Sequence, residues 1–147
     1  MAVYWKNGDM TSDRPFAPMI RRLRAAGLRS TRQRLALGRL LFDAGDRHAS
    51  AEDLHGEAVA AGIPVSLATV YNTLHQFTAA GLLKEVIVDS ARSYFDTNMR
   101  DHSHFYLEGS GELVDIPPEA VEVTGVPNPP AGHRIKRIDV IIRVADD

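Results

Sequence analysis

Apolar positions in the first half of the chain recur at helical spacing and stop at glycines. Phe16, Ile20 and Leu23 predict a helix over residues 15–26, with prolines at its start and Gly27 as its stop. Leu37, Leu40 and Leu41 form the stripe of a second, from about Thr31 to Asp43, with Gly45 beyond. "SAEDL" places Ser50 three residues before Asp53, the spacing of a capping box, and predicts a third helix to about Ala61 before Gly62. A fourth opens at Ser66 and closes at Gly81, with Val70, Leu74 and Phe77 toward the core.

The period then changes. Residues 82–88 and 93–95 flank the polar turn Asp89–Arg92 and predict a β-hairpin. Short helices followed by a hairpin are the order of a winged helix, a helix-turn-helix variant, over residues 15–97. Residues 98–147 read differently. Residues 102–107 and 112–116 alternate around "EGSGE" as a second hairpin, with residue 104 expected near residue 112. Five of the eight prolines lie between Pro117 and Pro130, so that stretch holds a turn or two of helix at most. "RIKRIDVIIRVADD" then predicts a last strand with Ile138, Val140, Ile142 and Val144 on one face. The expected class is α+β, a winged helix followed by a small dimerisation and metal-sensing domain with a three-stranded antiparallel sheet. Such a sheet cannot bury both faces alone, which points to a homodimer.

Charge sharpens the reading of the first domain. The 147 residues carry a net charge of −2, yet residues 1–34 hold eight Lys and Arg against two Asp. A basic end on an acidic protein attracts phosphates. The polar side of the fourth helix offers Ser66, Thr69, Thr73 and Gln76, flanked by Tyr71 and Asn72, and no Lys or Glu occurs between Ser66 and Ala80. Hydroxyls and amides of this kind meet base edges in the major groove of double-stranded DNA. Arg92, near the hairpin turn, is placed to meet the phosphate backbone. With no cysteine, disulfides and thiolate-held zinc are excluded. No apolar run approaches a membrane span and the N-terminus lacks the pattern of a secretion signal, so a cytoplasmic protein with no membrane partner is expected.

Candidate chemistry sits at "RDHSHFYLEG". In an extended strand His102, His104 and Tyr106 share one face, while Phe105 and Leu107 take the other, the expected core face. Asp96 ends the first domain, Asp115 ends the strand expected beside the histidines, and His48 lies in the polar loop "GDRHASAED". Three imidazoles and two carboxylates suit Mn²⁺, Fe²⁺ or Zn²⁺, one ion per subunit. An ion held by residues of both domains would set the angle between them and act as a switch. An enzyme is not expected: no Glu/His pair lies on a helix to activate water, and no phosphate-binding loop is present.

"AGLRSTRQRLALGRLL", "HASAEDL", "SLATVYNTLHQFTAAGLL", "SYFDTN" and "DHSHFYLEG", in this order, resemble the ferric-uptake-regulator family of metal-dependent transcription factors over residues 15–145. The cysteine-free C-terminal part is most similar to the iron response regulators (Irr) of that family. The resemblance implies a homodimer on AT-rich inverted repeats, with Tyr71 reading bases and an N-terminal basic residue, here Arg24, entering the minor groove. It places the regulatory metal site on His48, Asp96, His102, His104 and Asp115. The family's structural zinc cysteines fall on Leu107 and Ser110, and a further family metal site falls on Asp101, Ser103, Glu122 and Ile138, so neither shell can form. Haem through His102 or His104 is the rival use implied for these imidazoles, in competition with the metal. Two alternative functions follow: a peroxide-sensing repressor, and a winged-helix protein whose metal is purely structural.

Overall fold

The structure, a computed structural model, describes residues 16–147. Lys6 and Arg14 of the basic end, and the expected helix start at residue 15, lie outside the described residues. The first unit ends at Met99 and the second runs from Arg100 to Asp147. No described helix is long and apolar enough to cross a membrane.

In the first unit, helices α1 (Ala17–Ala25) and α2 (Arg32–Phe42) are followed by the short strand β1 (His48–Ala49). Helices α3 (Ala51–Ala60) and α4 (Leu67–Ala79) and strands β2 (Lys84–Asp89) and β3 (Arg92–Asp96) complete it. Each helix start after the first is fixed by a side chain. Thr31, Ser50 and Ser66 accept hydrogen bonds from the backbone N–H groups of Arg34, Asp53 and Thr69, and Ser50 with Asp53 forms the full capping box. Gly27 and Gly81 take φ of 79° and 81° just past α1 and α4, a left-handed conformation that stops a helix at little cost only for glycine. Leu23, Leu35, Leu41, Leu54, Leu74, Phe77 and Phe95 are completely buried in one core, so the helical stripes predicted from the sequence all face it. The strands form an antiparallel sheet in the order β1-β3-β2, and Ala91 N–H donates to Asp89 Oδ1 across the hairpin turn. Together, α2–α4 and the hairpin are a winged helix.

The second unit holds β4 (Ser103–Leu107), β5 (Glu112–Ile116), a 3₁₀ turn at Pro118–Ala120 and β6 (Ile141–Val144). The α+β class stands, with two details changed. The sheet is mixed: β5 runs antiparallel to β4, but β6 runs parallel along its other edge. Strand β5 ends beside the start of β4, with Ile116 opposite Ser103, so the long connection over residues 117–140 has only to cross to the other edge of β4 at that same end, where β6 begins. The last strand is also only four residues long, and Ile138 lies exposed before it. The hairpin register differs as well: Leu107 pairs with Glu112 and His104 with Asp115. The observed register leaves the four residues 108–111 as the loop, closed by Gly111 N–H donating to Leu107 O at 2.8 Å.

The two faces of this sheet exchange the roles expected of them. His104, Tyr106 and Leu113 are buried, whereas Phe105, Val114 and Ile142 are 37%, 36% and 38% exposed. Phe105 is register partner to both Val114 and Ile142, so the three form one apolar row across the sheet.

Candidate metal centre and nucleic-acid interface

Strand β4 alternates, so His102, just before it, and His104 turn to the same side, and their rings lie 4.4 Å apart. The β4–β5 register sets Asp115 opposite His104. A single carboxylate oxygen, Asp115 Oδ1, lies 3.3 Å from His102 Nε2 and 3.2 Å from His104 Nε2. Both imidazoles are nearly fully buried, and the three donor atoms fall within 4.8 Å of one another. His102 Nδ1 faces the carbonyl oxygen of Arg100 at 2.6 Å. A carbonyl only accepts, so this nitrogen carries the proton and the lone pair of neutral His102 is at Nε2, on the Asp115 side. With that tautomer, Nε2 of His102 and Nε2 of His104 both face the half-exposed Asp115 carboxylate, a donor set that a cation could bridge. The donors suit Mn²⁺, Fe²⁺ or Zn²⁺.

The remaining two predicted ligands form a pair of their own in the first unit. His48 on β1 is register partner to Asp96 on β3, and Asp96 is buried. Backbone and side-chain bonds lock this rung from the next residues along. Thr97 N–H donates to Arg47 O at 2.9 Å, and Arg47 N–H donates to Thr97 Oγ1 at 2.9 Å. His48 also meets the ring of Tyr94 edge-on at 6.4 Å.

The predicted DNA-reading residues divide into three groups. Asn72 is exposed, and Tyr71 and Gln76 are reachable from solvent on the same helix. Ser66 and Thr69 are engaged in the cap of α4: Ser66 Oγ accepts from Thr69 N–H at 3.1 Å and donates to Thr69 Oγ1 at 3.0 Å. Thr73 is only 4% exposed, yet it lines a polar groove beside Asn72 and Gln76. It sits one position before Leu74 and three after Val70, which brings it round to the inner side of the helix. Arg24 and Arg92 are exposed.

Three contributors escaped the sequence reading. Arg34 on α2 donates through Nε and Nη2 to Gln76 Oε1, at 3.3 and 3.0 Å, and leaves the amide nitrogen of Gln76 pointing elsewhere. Together with Asn72 these residues line a polar groove of about 260 Å³ between α2 and α4. Glu52, in the first turn of α3, accepts the Tyr71 hydroxyl at 2.7 Å. The hydrogen bond to Glu52, with lesser help from burial and the carboxylate charge, raises the Tyr71 pKa above the ordinary phenol value. His75 stacks on Tyr71 with ring centroids 6.4 Å apart and meets Phe95 edge-on at 5.5 Å. The i, i+4 spacing of Tyr71 and His75 was a readable signal. The contacts of Glu52 and Arg34 depend on how the helices pack, and no local pattern carries them.

Residues 25–139 match the ferric uptake regulator family. The ferric uptake regulation protein of Pseudomonas aeruginosa is 37% identical over 101 residues, 68% of this chain and 75% of the relative. The chain belongs to the ferric uptake regulator family. A second relative, the peroxide-responsive repressor PerR of Staphylococcus epidermidis, is 36% identical over 105 residues, covering 71% of this chain and 69% of that protein. Among solved structures, the P. aeruginosa ferric uptake regulator with manganese superimposes with a TM-score of 0.63 at 30% identity, over 85% of this chain and 95% of the other. The chain is thus a metal-responsive transcriptional regulator of the ferric uptake regulator family.

Proposed function

We propose that the chain is an iron-responsive regulator that binds AT-rich inverted repeats as a homodimer in the cytoplasm. Residues 15–97 bind DNA, and residues 98–147 dimerise and sense metal. One divalent ion per subunit, Mn²⁺ or Fe²⁺ ahead of Zn²⁺, is held by His48, Asp96, His102, His104 and Asp115. The observation that carries this reading is the convergence of two imidazole Nε2 atoms on Asp115 Oδ1. Its chemistry is that of a hard-to-borderline cation site, and the solved relative that carries manganese gives the preference for that ion class. An ion drawing ligands from both units biases their arrangement, and so the spacing of the two α4 helices in a dimer.

On the DNA side, Tyr71, Asn72 and Gln76 face base edges, while Arg24 and Arg92 meet the backbone or the minor groove. Ser66 and Thr69 act by fixing the first turn of α4. The apolar row of Phe105, Val114 and Ile142 supports the dimer, because a second copy would cover it.

The test is a titration of chelator-stripped protein onto an AT-rich inverted-repeat duplex at fixed salt, without metal, with Mn²⁺ and with haem. The reading predicts that Mn²⁺ changes the affinity at least about tenfold, a coupling within the usual allosteric range. Haem, if it takes His102 or His104, reverses the Mn²⁺ effect. Three identical curves would leave a DNA-binding protein and remove the sensor.

A further inference from the structure

Tyr71 OH and Glu52 Oε1 are 2.7 Å apart. An ionised carboxylate has acceptors only, so the phenol must be the donor in this bond. A phenol has one O–H. Once that proton points at Glu52, the Tyr71 oxygen has only lone pairs to offer to any other partner. In the major groove adenine and cytosine present exocyclic amine donors, at N6 and N4, whereas thymine and guanine present the acceptors O4 and O6. We infer that Glu52 is a specificity-determining residue: by taking the only hydroxyl proton of Tyr71 it makes this side chain an acceptor toward DNA, selective for an amine-bearing base, adenine or cytosine. The inference rests on the proposal above that Tyr71 reads bases.

The local structure holds the pair in this state. The Ser50–Asp53 capping box fixes the first turn of α3, where Glu52 stands. A carboxylate in the first turn of a helix interacts favourably with the positive end of its dipole. His75 stacks on the Tyr71 ring and is itself set against buried Phe95. Tyr71 and Glu52 line an open cleft of about 250 Å³ whose far wall is the β2–β3 hairpin, through Arg92 and Tyr94. The bond therefore joins α4 to the start of α3 and lines the cleft that the hairpin borders on its far side. The raised Tyr71 pKa agrees with a proton retained on the phenol.

The experiment selects duplexes from a library randomised within the repeat, with full-length chelator-stripped and Mn²⁺-loaded protein. Wild type, Tyr71→Phe, Glu52→Leu and Glu52→Gln are compared. Wild type should favour adenine or cytosine over thymine or guanine at one position per half-site, by about five- to tenfold, the worth of one hydrogen bond. Tyr71→Phe should lose that preference. Glu52→Leu should lose it too, or turn it toward thymine or guanine, because the freed hydroxyl can now donate. Glu52→Gln should keep it, since the amide oxygen accepts the same proton, while binding all duplexes more tightly for want of the charge. As a readout independent of DNA, the Tyr71 phenol should titrate lower in Glu52→Leu than in wild type, because the hydrogen bond and the carboxylate charge are lost while the burial remains. The inference is overturned if Glu52→Leu keeps the wild-type preference while Tyr71→Phe loses it. If Tyr71→Phe leaves every preference unchanged, the base-reading role of Tyr71 fails, and the inference with it.

Discussion

Arg47 grips Glu57 with both arms of its guanidinium, Nη1 to Oε1 at 2.7 Å and Nη2 to Oε2 at 2.6 Å.. The same Nη1 donates to Leu40 O, so one side chain ties the last turn of α2 to α3. Its backbone is bonded to Thr97 in both directions, on the rung next to His48 and Asp96. Arg47 therefore links helix packing to the geometry of two proposed metal ligands. The pair is partly exposed, which discounts its electrostatic worth. Arg47→Ala should lower the unfolding free energy by about 1–2 kcal/mol, through lost hydrogen bonds and packing, in urea denaturation. It should weaken Mn²⁺ binding as well. Unchanged stability would show that the bidentate pair contributes nothing beyond a surface ion pair.

The Tyr71–Glu52 bond makes a prediction in alkali. The folded state raises the Tyr71 pKa, chiefly through the Glu52 hydrogen bond. The associated stability is fully present below the unfolded phenol value and is lost as pH rises through the folded value. Ultraviolet titration should show the Tyr71 phenol ionising above its ordinary range in wild type and at a lower pH in Glu52→Leu, where only the contribution of burial remains. A wild-type titration identical to that of the variant would refute the bond in solution.

The apolar row on the second sheet predicts assembly. Replacing Phe105 by Glu sets a charge beside Val114 and Ile142, which are its cross-strand partners. Sedimentation should then show monomers where wild type is a dimer, with α-helical content unchanged. A variant that remains dimeric would move the interface elsewhere.

Much of the first unit was legible because its signals are local. Ser50 and Asp53 announce the cap of α3, Gly27 and Gly81 end helices in the left-handed region, and Val70, Leu74 and Phe77 mark the inner stripe of α4. The burial of Thr73 was not legible, because a hydroxyl on a helix shoulder looks the same whether the neighbouring helix covers it or not. The second unit was harder. Period-2 alternation separates two faces but does not say which one is covered, so Phe105 was expected inside and His104 outside, the reverse of what the sheet does. The orientation of β6 is likewise invisible locally, because a long connection permits either direction. The five ligand candidates were nameable from residue type and spacing. The contact of one Asp115 oxygen with two imidazoles followed only from the register.

The most direct test of the central claim is calorimetric titration of Mn²⁺ into chelator-stripped protein, wild type against His102→Ala. His102 offers Nε2 at 3.3 Å from Asp115 Oδ1 while Nδ1 is held by Arg100 O, so its loss removes one donor and leaves the strand intact. The account predicts one ion per chain in wild type and an affinity at least about tenfold weaker in the variant, a loss no smaller than that of an outer-shell partner. Equal affinity in the two proteins, with both folded, would contradict it.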